Sequence, residues 1–158
     1  MTFPSLMKLI RYAQIDFGIR IRMDLGDLTR NKAGHTKAHF VLGKIEYPDG
    51  HVGHLLYIKS SVTGNERDYV LDYRNTHPAF PHETTADQFF NEAQFEAYRA
   101  LGEHIGEDLF HPELIKGAGP ITLESWFAAL AHNLRAERLG DTQFGDSALE
   151  GNETVSAT

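Results

Sequence analysis

Two runs dense in aromatic and branched side chains, "AHFVLGKIEY" and "VGHLLYIKSSV", flank the tetrapeptide "PDGH", Pro48 to His51. Asp49-Gly50 supplies the positive φ that a tight reversal wants, so the surrounding chain is committed to an antiparallel hairpin. Ahead of it, "FGIRIRMDL" alternates Ile19, Ile21 and Met23 with Arg20, Arg22 and Asp24. A period of two with one apolar side is the pattern of a strand buried on one face and wet on the other. Strands are therefore expected at 17–24, 38–47 and 52–61, with polar "GDLTRNKAGHTK" as the loop joining the first two.

Elsewhere the period is helical. Pro4 suits a first turn, and Leu6, Leu9, Ile10 and Ala13 follow it, predicting a helix over 4–14. Thr63, Gly64 and Asn65 carry turn chemistry and lead into Tyr69, Val70 and Tyr73, a short helix that Pro78 stops. Thr84 or Thr85 can cap the next helix, with Asp87 or Gln88 three residues on. Phe90, Ala93, Ala97 and Leu101 then form a stripe beside Phe95, Tyr98 and Ile105. In "TLESWFAALAHNLRAERLG", Leu123, Trp126, Phe127, Leu130 and Leu134 share a face and Gly140 makes the stop. Residues 141–158 are small, polar and aperiodic, which predicts a disordered tail behind a single globular domain, 1–140. The sum is an α+β fold: a small, mainly antiparallel sheet with helices over one face.

Composition narrows the chemistry. The chain has 158 residues, 15 Lys plus Arg against 22 Asp plus Glu, and no cysteine. A net charge of −7 without a basic stripe gives a nucleic-acid backbone nothing to bind, so nucleic acid is not an expected partner. Thiolate ligands, thiol nucleophiles and disulfides are excluded outright. Lys8 and Arg11 interrupt the apolar stretch at the amino end, so no targeting segment is read there, and a cytoplasmic setting is expected.

The run "FPHETTADQFFNEAQFEAYRALGEHIG", 80–106, looks most like a site. Its aromatics fall on helical spacing and its threonines at a helix start, which reads as core and cap. His82 and Glu83 resist that account. They lie in a loop where neither helix nor core demands an imidazole, and they are the candidate binding residues; bonding a helix-end amide is the bland alternative. His35 with His39, and His104 with Glu107 and His111, have spacings that would hold a metal on a regular element. Gly102, Gly106 and Pro112 interrupt the second set, and the first crosses from loop to strand. Solvated surface histidines are the expectation for both, with no metal or other cofactor. No Gly-x-Ser-x-Gly occurs; Ser147 in "GDSALEG" is the nearest match and has no strand before it, so no catalytic residue is assigned.

Taken together, "IRYAQIDFGIRIRMDL", "AHFVLGKIEYPDGHVGHLLYIKSSVTGNE" and "DYRNTHPAFPHETTADQFFNEAQFEAYRALGEHI" resemble the carboxy-terminal portion of bacterial patatin-like phospholipases over residues 5–106. The resemblance implies a lipid acyl-hydrolase context and a sheet that forms the edge of a larger α/β fold. That family's serine motif and its Asp-Gly-Gly or Asp-Gly-Ala aspartate both precede the region matched, and this chain has neither. Asp49-Gly50 is the hairpin turn and inherits no catalytic role. The implied function is a non-catalytic carboxy-terminal part of such a hydrolase. Its partners would be the amino-terminal catalytic half or a second copy of the chain, with a lipid membrane surface as a further one. A free-standing interaction module and, more weakly, a small histidine-dependent metal enzyme are the alternatives.

Overall fold

The computed structural model describes residues 3–84, 86–113 and 122–146, with side chains through Leu134. The chain divides into two compact units, Met1–Leu109 and Phe110–Thr158. The architecture is α+β, with four helices and one three-stranded antiparallel sheet among the described residues.

The hairpin forms as its turn chemistry requires. β2 (Phe40–Glu46) pairs along its whole length with β3 (Val52–Ile58), Phe40 opposite Ile58 and Glu46 opposite Val52. Gly50 sits at φ 87, and Asp49 Oδ1 accepts the His51 amide at 3.0 Å, closing the reversal. β1 (Arg20–Arg22) pairs with the other side of β2, with Ile21 opposite Ile45. It is shorter than the alternation at 17–24 predicts. α1 (Pro4–Phe17) claims Phe17 and ends only at Gly18, whose left-handed φ of 67 lets its amide close on the Gln14 carbonyl at 3.1 Å. For the same reason the helix overruns its expected end at residue 14. Gly43 in β2 lets the sheet tighten here: a Cβ there would lie 2.8 Å from the Met23 Cε.

α2 (Asp68–Thr76) and α3 (Glu92–Leu109) pack together. The core of this unit joins Val70 and Tyr73 of α2, Ala97, Ala100, Leu101 and Ile105 of α3, and Val62 and Phe80 from the connecting segments. Here the sequence expectation needs correction. α3 does not begin at Thr84. The Thr84 hydroxyl accepts the Ala86 amide in a local turn, and Asn91 Oδ1 accepts the Gln94 amide at 2.8 Å to start the helix. Thr85 lies outside the described residues. Two cap signatures seven residues apart competed, and the later one follows the loop that buries Phe80. Phe90, Ala93 and Phe95, expected on the buried stripe, are exposed in consequence.

In the second unit α4 (Leu123–Asp146) runs past Gly140. An interior glycine costs a helix about 1 kcal/mol and does not by itself end it. The expected tail therefore starts inside a helix, and 147–158 lie outside the described residues. Trp126 packs its ring 5.6 Å from that of Phe110 and 5.0 Å from that of Phe127. No described helix is long and apolar enough to cross a membrane.

Candidate functional site

The β2–β3 hairpin extends one bond beyond its formal ends, since the Lys59 amide donates to the His39 carbonyl at 2.8 Å. That bond holds the chain just after β3 beside His39, and Ser61 follows two residues later. His39 Nδ1 lies 3.2 Å from Ser61 Oγ, and the hydroxyl also reaches the Ala38 and Lys59 carbonyls. The Thr63 hydroxyl stands 3.3 Å from Nε2 on the other side of the ring and reaches Glu66 Oε1 at 3.1 Å, so each ring nitrogen faces a hydroxyl and the two contacts together fix the ring's orientation.

Nε2 points at carboxylates: 3.7 Å to Glu66 Oε1 and 3.7 Å to Asp108 Oδ2. Glu66 belongs to the turn before α2, where Gly64 at φ 99 folds the chain back and the carboxylate accepts the Thr63 amide at 2.6 Å and the Gly64 amide at 2.8 Å. His104 and Asp108 sit four apart on α3 and so share a face. Their side chains lie 3.6 Å apart, and the ring of His104 stands edge-on to that of His39 at 5.4 Å. His104 Nε2 also meets Asn65 Oδ1 at 3.1 Å. One ligand atom each from His39, Glu66 and His104 lies within 4.8 Å of the others. Three chain segments thus deliver two imidazoles and two carboxylates to one place.

The site is graded in depth. His39 and the Glu66 side chain are buried, His104 is partly exposed, and the Asp108 side chain is 39% exposed. Burial pushes Glu66 up, but the amides of Thr63, Glu66 and Gly64 and the Thr63 hydroxyl outweigh it and hold the carboxyl below its usual range. Burial likewise sets the direction for His39, which stays below its ordinary value although Glu66 and Asp108 pull it up.

The residues singled out from sequence fare unequally. Glu83 is consumed by structure: its carboxylate accepts the Tyr98 hydroxyl at 3.1 Å, Gln94 Nε2 at 3.0 Å and the Tyr73 hydroxyl at 3.4 Å. Asp87 takes the other amide proton of Gln94 at 2.9 Å. The acid-rich run is therefore a clamp tying the loop to α2 and α3. Neighbouring His82 is exposed. Partial burial, then the charges of Lys59 and Arg30, and more weakly Arg74, push it down to about 4. Arg74 is held nearby by its bond to the Phe80 carbonyl at 3.0 Å.

The expectation of solvated histidines is corrected for His39, which is 1% exposed. The sequence spacing pairs it with His35, yet it meets His104, 65 positions away by subtraction of their numbers. Glu66 and Asp108 carried no signal at all, since a carboxylate in a turn or on a helix is ordinarily a solvated one. His35 instead packs its ring against Gly64, and Glu107 and His111 are exposed. No family model, no curated protein and no solved structure matches the chain at a significant level.

Proposed function

We propose that this chain is a non-catalytic, carboxy-terminal part of a patatin-like lipid acyl hydrolase, serving as a scaffold that packs against the portion carrying the nucleophile. The observation that carries the reading is the surface of the first unit. α1 leaves Leu9, Ile15 and Phe17 more than half exposed, and Met7 and Tyr12 a little less than half. Phe17 continues the stripe of buried Leu6, eleven residues on, while Met7, Leu9, Tyr12 and Ile15 are spread around the helix away from it, and a helix apolar on several sides is one that a larger structure covers on several sides. Among the described residues no strand pairs with the outer side of seven-residue β3, and such an edge is a template for a further strand. Glu83, Asp87, Gln94 and Tyr98, polar residues of the resembling sequence, are spent on hydrogen bonds to one another.

The test has two arms. The purified chain should hydrolyse a p-nitrophenyl acyl ester no faster than an inert protein of equal size. Co-expressed with a patatin-like catalytic portion bearing Gly-x-Ser-x-Gly, it should copurify with that portion, and an Ile15→Asp, Phe17→Asp double variant should not. Turnover by the chain alone that a serine-directed phosphonate abolishes would overturn the reading. So would wild-type chain that fails to associate with the catalytic portion.

A further inference from the structure

We propose that His39, Glu66, His104 and Asp108 form a binding site for one divalent first-row transition cation, with Zn2+ the natural probe. The proposal is independent of the acyl-hydrolase reading. Three observations converge. The first is the donor set: two imidazoles with two carboxylates is a nitrogen and oxygen environment that suits Zn2+, Mn2+, Fe2+ or Co2+ better than Ca2+ or Mg2+, which prefer all-oxygen shells.

The second is charge. The Glu66 side chain is fully buried, and among the described residues neither it nor Asp108 has a Lys or Arg within ion-pair distance; Glu66 has only the neutral donors of Thr63 and Gly64 and the imidazole of His39. Buried carboxylates are ordinarily matched by a cation. The third is outer support. Ser61 at Nδ1 holds the His39 ring with Nε2 turned inward, and the Thr63 and Gly64 amides fix Glu66, the kind of orienting contacts that hold ligands at metal sites.

The geometry is near that required. A tetrahedral cation with bonds of about 2 Å sets its ligands roughly 3.3 to 3.5 Å apart. The contacts of His39 with Glu66 and Asp108 and of His104 with Asp108 span 3.6 to 3.7 Å, and the widest separation among His39, Glu66 and His104 is at most 4.8 Å. His39, Glu66 and His104 form the compact set, and closing their widest pair takes up to about 1.5 Å, which falls to partly exposed His104 on α3 while His39 and Glu66 are already held; Asp108, in contact with both imidazoles but outside that set, moves farther to become the fourth ligand. Coordination by His104 Nε2 exchanges its contact with Asn65 for the metal bond. Because Asp108 lies at the solvent side, it is also where a water or a small anionic ligand would reach the cation.

Titration of the metal-free chain with Zn2+ by calorimetry, and with Co2+ by visible absorption, tests this. One equivalent should bind, and bound Co2+ should show the intense d–d bands of a four-coordinate site. His104→Ala and Asp108→Asn, chosen because both side chains are partly exposed and their loss leaves the core intact, should each weaken Zn2+ by about tenfold or more, and Ser61→Ala should weaken it by a similar factor through His39. Circular dichroism of each variant checks folding. Absence of a stoichiometric site in the wild type would overturn the proposal. So would Zn2+ affinity unchanged in folded His104→Ala and Asp108→Asn, which would place the ion on other histidines.

Discussion

Replacing Glu83 by alanine removes the acceptor for three donors at once, and the structure gives the scale of the loss. A hydrogen bond to a charged acceptor is worth about 1.5 to 3 kcal/mol in a dry setting, but Glu83 is half-buried and the Tyr73 contact is long at 3.4 Å. Allowing about 1 kcal/mol for each bond gives a destabilisation of about 3 kcal/mol. Glu83→Gln keeps the shape, and the Tyr73 hydroxyl can turn to accept from the new amide; only charge assistance is lost, about 1 kcal/mol. Both should appear in urea unfolding as a lower midpoint at an unchanged slope.

A second readout belongs to the same clamp. Tyr98 is pushed up to about 12, by burial first and by its bond to Glu83 second. A phenol whose folded pKa is raised lends stability that is complete below its unfolded value of 10.0 and is lost as pH climbs through the folded one. In Glu83→Ala the burial remains and the carboxylate does not. The alkaline titration of Tyr98, followed by ultraviolet absorbance, should therefore move down yet stay above 10.0, and alkaline unfolding should begin earlier. If alanine costs less than about 0.5 kcal/mol and the Tyr98 titration does not move, the clamp carries no structural weight. Glu83 would then return as a binding residue.

Two further outcomes follow from single positions. The His82 ring should titrate near 4 by NMR in the folded chain. With its folded pKa depressed, the stability it lends is present above the unfolded value of 6.5 and fades as pH falls toward 4; Lys59→Met should raise the midpoint, and a wild-type midpoint between 6 and 7 would show that the surrounding cations do not act on it. Gly64→Ala forces a Cβ to within 2.8 Å of the His35 ring at a φ of 99, and a loss of about 2 kcal/mol or more in chemical denaturation is expected, whereas a cost under about 0.5 kcal/mol would mean the turn relaxes freely.

The hairpin and the helix types could be read from the sequence because local chemistry dictates them. Asp49-Gly50 admits few alternatives, and the three strands overlap their expected ranges with fraying at the ends. α3 shows where local rules stop. Thr84 and Asn91 both offer a cap, and what decides between them is the burial of Phe80 against α2, a contact invisible to any window of sequence. The His39 cluster shows the same limit more sharply. His39 and Ser61 meet because β2 and β3 pair, Glu66 joins them because Gly64 turns the chain, and His104 arrives only when α3 packs. Spacing rules assume that ligands share an element, and here each of three segments brings its own.

The turn at Thr63 to Glu66 has a consequence in time as well as in space. Amides in a glycine-bearing turn outside any sheet ladder ordinarily exchange their hydrogens with water almost without delay. Those of Thr63 and Gly64 are bonded to the fully buried Glu66 carboxylate, so they can exchange only when that side chain swings away. Their exchange rates measure how often this one carboxylate lets go, a local clock that runs whether or not the rest of the molecule opens.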